Sequence, residues 1–254
     1  RLALLDISSS HVKDVRLLGF SFNDNPEPTI IKYMKRIDEN ITFLARDPVS
    51  SMRLTHHGIK NKLVADLAFG LQPKNDFYLN ELRAADWVLK LHSMGGYLCI
   101  NLNAIHLNKY GQNYFDSVCE CLKRIIAISN KHILFVSHDL RSFNGNTDLS
   151  FAEDVAKKLN LIREQDFTVT PKNLNAANLK YLASEADFLV TGRMHFAIGG
   201  LGAGTPSLMF GYQGKQEGLA KHFEISSKDL ILDPTDDAAS MLASIDHFIE
   251  SIDK

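Results

Sequence analysis

Short runs of β-branched, aromatic and aliphatic residues alternate with amphipathic stretches along nearly the whole chain. That alternation marks βαβ units around parallel sheets, and it limits the fold more than any other feature. VRLLGFS at 15–21 reads as a strand, and residues 29–40, entered after Pro28, as a helix. ITFLA at 41–45 is a second strand, and the helix after it starts near Pro48 and Ser50. His57-Gly58 closes that helix, glycine being the residue that tolerates a left-handed cap. Residues 62–65 form a short third strand; the pattern is helical from Leu79 to Leu91, and 94-MGG-96 breaks it. Beyond the break come strands at 97–101, 132–137, 167–170, 187–190, 207–210 and 230–232. Helices are expected at 114–129, 150–159, 176–184, 193–203, 214–222 and 235–252. The chain therefore divides into an N-terminal block, residues 1–92, and a C-terminal block, residues 93–254. The first block offers about three strands, fewer than an average sheet. Its opening, RLALLDISSS, reads as the interior of a unit, so the expectation is either that a first βα pair is missing from it or that a disordered stretch has been removed.

Composition narrows the function. A chain of 254 residues with 45% hydrophobic and 23% charged residues is ordinary for a folded α/β protein. Its formal charge of −2 argues against a nucleic-acid binder dominated by phosphate contacts. No apolar run is long enough for a membrane span and no secretory leader opens the chain, so a cytoplasmic protein, at most peripheral to the inner face of a membrane, is expected. Cys99, Cys119 and Cys121 are too few and too poorly spaced for a disulfide framework or a structural zinc site. The ten histidines include no HExxH pair, and no metal is expected.

In open parallel sheets ligands gather beyond the carboxyl ends of strands. Four such places carry polar residues. In 46-RDPVSS-51, Arg46 stands at a strand end, and Asp47 and Ser50 suit a helix cap. A capping cluster with a solvated arginine satisfies the same residues. In 191-TGRMHF-196, Arg193 and His195 fall in the first turn of a helix, where a cation opposes the helix dipole unless an anion compensates. The alternative is a packed histidine and an arginine pointing to water. In 211-GYQGKQEG-218, Lys215 repeats that unfavourable placement, with Glu217 beside it. In 138-HD-139, His138 is either an acid–base or hydroxyl-binding group or a loop histidine. The glycines of 199-GGLGAGTP-206 lie late in a helix and before a strand, the reverse of a phosphate loop, and read as helix packing.

In order, LLGFSFN, LARDPVSSMRLTHHGIKNKLVADLAFGL, FVSHD and ADFLVTGRMHFAIGGLGAGTPSLMFGYQGKQEGLAKHF resemble the polysaccharide pyruvyl transferase family. The resemblance implies an α/β fold of two Rossmann-like domains facing each other across a cleft, GT-B-like. It implies transfer of the pyruvyl group of phosphoenolpyruvate to a saccharide as a ketal, in cell-surface or exopolysaccharide biosynthesis. No cofactor is then needed, phosphoenolpyruvate being a substrate; the acceptor is a saccharide, free or linked to lipid or nucleotide. The family's RDxxS arginine falls on Arg46, its R-x-H on Arg193 and His195 with Met194 between, and its Y-x-x-K on Tyr212 and Lys215. His195, Arg193 and Lys215 are the catalytic candidates; Arg46, Met194, His138, Asp139, Tyr212 and Glu217 are the binding candidates. The family's glycine-rich N-terminal segment is not found. Competing readings are a GT-B glycosyltransferase using a nucleotide sugar and a catalytically silent saccharide-binding member. If Arg193 and His195 serve only a ligand, alanine at either is expected to leave the unliganded melting temperature nearly unchanged.

Overall fold

The structure, a computed structural model, describes residues 14–37, 41–211 and 215–252. The opening segment RLALLDISSS, Tyr212 and Gly214 lie outside the described residues. The chain forms two compact units, residues 1–69 with 213–226 and residues 70–212 with 227–254.

In the first unit, β1 (Val15–Phe20), α1 (Pro28–Ile37), β2 (Ile41–Ala45), α2 (Pro48–His56) and β3 (Asn61–Leu63) follow in turn. Among the described residues the strands make a parallel sheet in the order β1-β2-β3, Leu17 opposite Phe43 and Phe43 opposite Asn61. Phe43, Ala45, Leu54, Ile59, Met34 and Ile37 form its core. Burying each large side chain contributes roughly 1.5–3 kcal/mol.

The second unit opens on a small hairpin, β4 (Tyr78–Leu79) and β5 (Leu82–Arg83), before α3 (Ala84–Ser93). Then come β6 (Tyr97–Asn101), α4 (Ala104–Ser129), β7 (His132–Phe135), α5 (Asp148–Lys158), β8 (Phe167–Val169) and α6 (Ala176–Ser184). Strand β9 (Phe188–Thr191), α7 (Met194–Leu201) and β10 (Ser207–Phe210) complete the run before the chain returns to the first unit. There, α8 (Lys215–His222) packs on α2. Helix α9 (Ser227–Leu230), β11 (Ile231–Leu232) and α10 (Ala238–Ile252) close the second unit. Its sheet is parallel throughout, in the order β11-β10-β9-β6-β7-β8. The chain builds outward from β6 to β8 and then crosses to β9 on the other side of β6. The switch point of the sheet therefore lies between β6 and β9, where crevices form in doubly wound folds.

Three departures from the sequence reading have physical causes. The helix expected from Leu79 starts at Ala84, because Asn80 (φ 47°) and Glu81 (φ 67°) make a tight two-residue turn between β4 and β5. Helix α4 starts ten residues before Tyr114, capped by Asn103 and kinked at Gly111 (φ 70°, ψ −152°). The division of the chain also differs from a break at 92–93. Phe77, Leu79, Trp87, Val88 and Leu91 share one core with Tyr97, Cys99, Leu134 and Leu189, which ties residues 70–92 to the second unit.

Candidate functional site

The three parallel strands of the first unit each deliver a polar group just past their carboxyl ends. Ser21 follows β1, Arg46 and Asp47 follow β2, and Asp66 comes shortly after β3. Asp47 caps α2 through Oδ1, which accepts the Ser50 amide at 2.7 Å, while Oδ2 accepts the Ser50 hydroxyl at 2.7 Å. Arg46 Nη1 donates to Asp66 Oδ2 at 2.7 Å and Arg46 Nε to Ser21 Oγ at 2.8 Å. Both side chains of that ion pair are nearly enclosed, at 11% and 8% exposure. The capping cluster and the strand-end arginine are thus both present, and the guanidinium is carboxylate-bound.

Helix α8 brings Lys215 and Glu217 in its first turn. Burial pushes the Lys215 ammonium below its ordinary pKa, and the charge of Arg46 adds to that. Two cations that sense each other favour an anion nearby. One oxygen of Glu217, Oε2, is buried without a hydrogen-bond partner. Gly218 packs directly over the cap: a Cβ there would stand 2.6 Å from Asp47 Oδ1 and 2.8 Å from its Cγ. Gly218→Ala is therefore expected to destabilise the protein by about 1–3 kcal/mol in urea unfolding, since the buried Asp47 has no room to yield. A neutral outcome would mean that α8 is not seated on the cap.

The second unit assembles its polar groups at the switch point. Asn101 ends β6 and Thr191 ends β9, directly paired in the sheet and both fully buried. Thr191 Oγ1 donates to Asn101 Oδ1 at 3.0 Å and accepts the Arg193 amide at 2.9 Å. Gly192 between them is a close-approach glycine, because a Cβ would lie 2.7 Å from Asn103 Cβ. This frame fixes Arg193 as the residue that precedes α7, in extended backbone, rather than within its first turn. Met194 is the first helical residue and is buried. His195, one position on, is exposed.

Asp148, the first residue of α5, is buried and receives Arg193 in a two-point grip, Nη2 to Oδ1 at 2.7 Å and Nε to Oδ2 at 3.2 Å. Its carboxylate also accepts the amides of Ala104 at 3.1 Å and Asp139 at 3.2 Å. Arg193 Nη1 faces a second carboxylate, Asp139 Oδ2, at 3.2 Å. Asp139 is held in turn by Arg141, whose hydrogen bonds, with the charge of Arg193, keep its carboxyl at about 2. The structure thus brings Arg193, His138, Asp139 and His195 together in one unit, and Arg46, Lys215 and Glu217 in the other. Sequence reasoning missed Asp66, Asn101 and Thr191; it noted Asp148 across the loop from 138-HD-139 but gave it no part in binding Arg193. Their position just after strands or at a helix start was the available signal.

Burial, then the charges of Arg193 and His195, lower His138 to about 4. His106, fully buried in α4 with Nδ1 3.3 Å from the Tyr114 hydroxyl, is lowered to about 3 by burial and by Arg193. Both start from an ordinary value of 6.5. Below that pH the unfolded chain takes up protons that the folded chain refuses, so stability falls as acid increases, until the folded values are reached. Each histidine contributes at most about 1.4 kcal/mol per pH unit. Urea unfolding is expected to show a loss of about 4 kcal/mol between pH 7 and pH 5 from the pair. A flat profile over that range would contradict their neutral burial.

Among the described residues no group of three or more His, Cys, Asp and Glu side chains is placed to hold a metal. No helix among them is long and apolar enough to cross a membrane. A cavity of about 480 Å³ lined by Cys119, Lys123, Lys158 and Leu161 contains none of the candidate residues.

Solved structures with this fold include UDP-GlcNAc 2-epimerase from Methanocaldococcus jannaschii, at TM-score 0.57 and 13% identity. That likeness covers 96% of this chain, which spans 66% of the epimerase's length. The UDP co-structure of S. aureus MnaA gives TM-score 0.58 at 9% identity, covering 99% of this chain and 74% of that one. A glycosyltransferase from Rickettsia africae gives 0.56 at 11%, covering 98% and 70%. These likenesses establish a GT-B-like α/β fold. No curated protein matches the chain. The family profile described as polysaccharide pyruvyl transferase matches residues 1–214, and on that match the chain belongs to the polysaccharide pyruvyl transferase family.

Proposed function

We propose that the protein transfers the pyruvyl group of phosphoenolpyruvate to two hydroxyls of a saccharide, forming a cyclic ketal. The observation that carries this reading is the placement of Arg193 and His195 at the sheet's switch point, within a family of pyruvyl transferases. Phosphoenolpyruvate presents a carboxylate and a phosphate. Guanidinium groups grip either in a planar fork.

The reaction adds one proton to the methylene carbon, leaving an oxocarbenium centre at C2. One sugar hydroxyl attacks that carbon and gives up its proton. The C2–O bond to phosphate breaks, and a second hydroxyl closes the ketal, again with loss of a proton. His195 is exposed and suits the proton donor. Asp139, held ionised by two arginines, is a poor donor near neutral pH. His138, lowered by burial, is neutral there and suits a hydrogen bond to substrate hydroxyls.

The fold itself favours one rival, since structures of this shape were solved with UDP. A thermal-shift series with phosphoenolpyruvate, UDP-sugars and CMP-sugars separates the two. Stabilisation by phosphoenolpyruvate that is lost in Arg193→Ala, read against that variant's own unliganded melting temperature, supports pyruvyl transfer. A response to nucleotide sugars alone supports glycosyl transfer. No response to any of them points to a saccharide-binding protein without catalysis.

A further inference from the structure

The two carboxylates on Arg193 are not equivalent. Asp148 has no exposed side-chain surface, and it binds both Nε and Nη2 while accepting two backbone amides. It is a permanent part of the frame. Asp139 touches only Nη1, at 3.2 Å, and its stronger hydrogen bonds run the other way, to Arg141 Nε at 2.9 Å and Nη2 at 2.7 Å. Arg141 is 75% exposed, so that pair sits at the water boundary, where ion pairs are weak.

The backbone around this carboxylate is tied down, and its side chain is 13% exposed. The Asp139 amide is tied to Asp148, and the Ser137 amide to Thr170 Oγ1 at 3.1 Å. Beyond it, residues 143–146 close a tight Asn144-Gly145 turn, with Phe143 and Asn146 exchanging backbone hydrogen bonds at 2.7 and 3.0 Å. Asn108 anchors that turn by donating to the Phe143 carbonyl and accepting from Asn146. The Phe143 ring lies 5.3 Å from the Arg141 guanidinium and 5.9 Å from that of Arg193. Between these two tethered points stand the Asp139 carboxylate and the solvent-facing Arg141.

We propose that Asp139 is an internal place-holder on the Nη1 edge of Arg193, displaced by the substrate's anionic group, and that Arg141, already bound to both its oxygens, retains the carboxylate as it leaves Nη1. The inference rests on the reading of Arg193 as an anion-binding group. Charge balance supports it: two guanidiniums and two carboxylates neutralise one another while the site is closed. A ligand anion then enters by exchange and no buried cation is left without a partner. Asp139 and Arg141 thereby set affinity by acting on Arg193.

The signs are opposite and testable. Titration calorimetry of the full chain with phosphoenolpyruvate and, separately, inorganic phosphate is expected to show Asp139→Asn binding roughly threefold to fivefold tighter than wild type. Arg141→Ala leaves Arg193 as the only guanidinium on Asp139 and is expected to bind more weakly by a similar factor; being exposed, it keeps the fold intact. Unchanged or weaker phosphoenolpyruvate binding by Asp139→Asn overturns the place-holder and leaves the donor reading standing. Tighter phosphate binding by that variant, with phosphoenolpyruvate bound by no form of the protein, upholds the place-holder and overturns the donor. Absence of binding by either anion to every variant overturns both.

Discussion

Asp148→Ala is expected to lower stability by about 3–5 kcal/mol, the usual result of stripping the partner from an enclosed charge. Asp148 is 1% exposed and the Arg193 side chain 13% exposed, so water reaches neither well. The substitution leaves the guanidinium with Asp139 alone and orphans the amides of Ala104 and Asp139. Chemical unfolding gives the number directly. The double variant Asp148→Ala, Arg193→Met is expected to recover part of the loss, because it removes the unpaired charge. A single-variant loss below about 1 kcal/mol would mean that water solvates this pair and that the switch-point frame is loose. The same pairing changes an expectation drawn from the sequence. Arg193→Ala leaves a buried carboxylate behind and so is expected to lower the melting temperature, whereas a solvated arginine would not.

His195→Ala is the cleaner probe of chemistry. The residue is exposed, so its loss is expected to shift stability by no more than about 0.5 kcal/mol. If it donates the proton to the methylene carbon, transfer should slow by about 10²–10⁴-fold, mainly in kcat, with phosphoenolpyruvate binding little changed. Phosphate release followed with a saccharide acceptor measures this. Wild-type turnover in the variant would remove His195 from the proton transfer.

The order of strands and helices was legible because hydrophobic runs of strand length and amphipathic stretches need only local sequence to declare themselves. The strand-end rule then pointed to Arg46, Arg193 and His138. What stayed hidden was pairing at a distance. Asp66 is 20 residues from Arg46 and Asp148 is 45 from Arg193, and nothing local marks either as a partner. Both arginines read as bare cations from their positions, and both prove to be carboxylate-bound. The hairpin at 78–83 was hidden for another reason: Asn80 and Glu81 adopt positive φ without the glycine that usually announces such a turn. The allotment of residues 70–92 to the second unit followed from Trp87 and Leu91 joining the core of β6 and β9, a contact no periodicity encodes.

A crystal structure of the full chain grown with phosphoenolpyruvate decides whether Arg193 receives an anionic group of that compound. The expected result is a carboxylate or phosphate oxygen bound to Arg193 Nη1, with Asp148 unmoved and Asp139 withdrawn from Nη1 while still held by Arg141. Phosphoenolpyruvate bound elsewhere, or not bound at all, with Asp139 still closed on Arg193 at saturating concentration would contradict it.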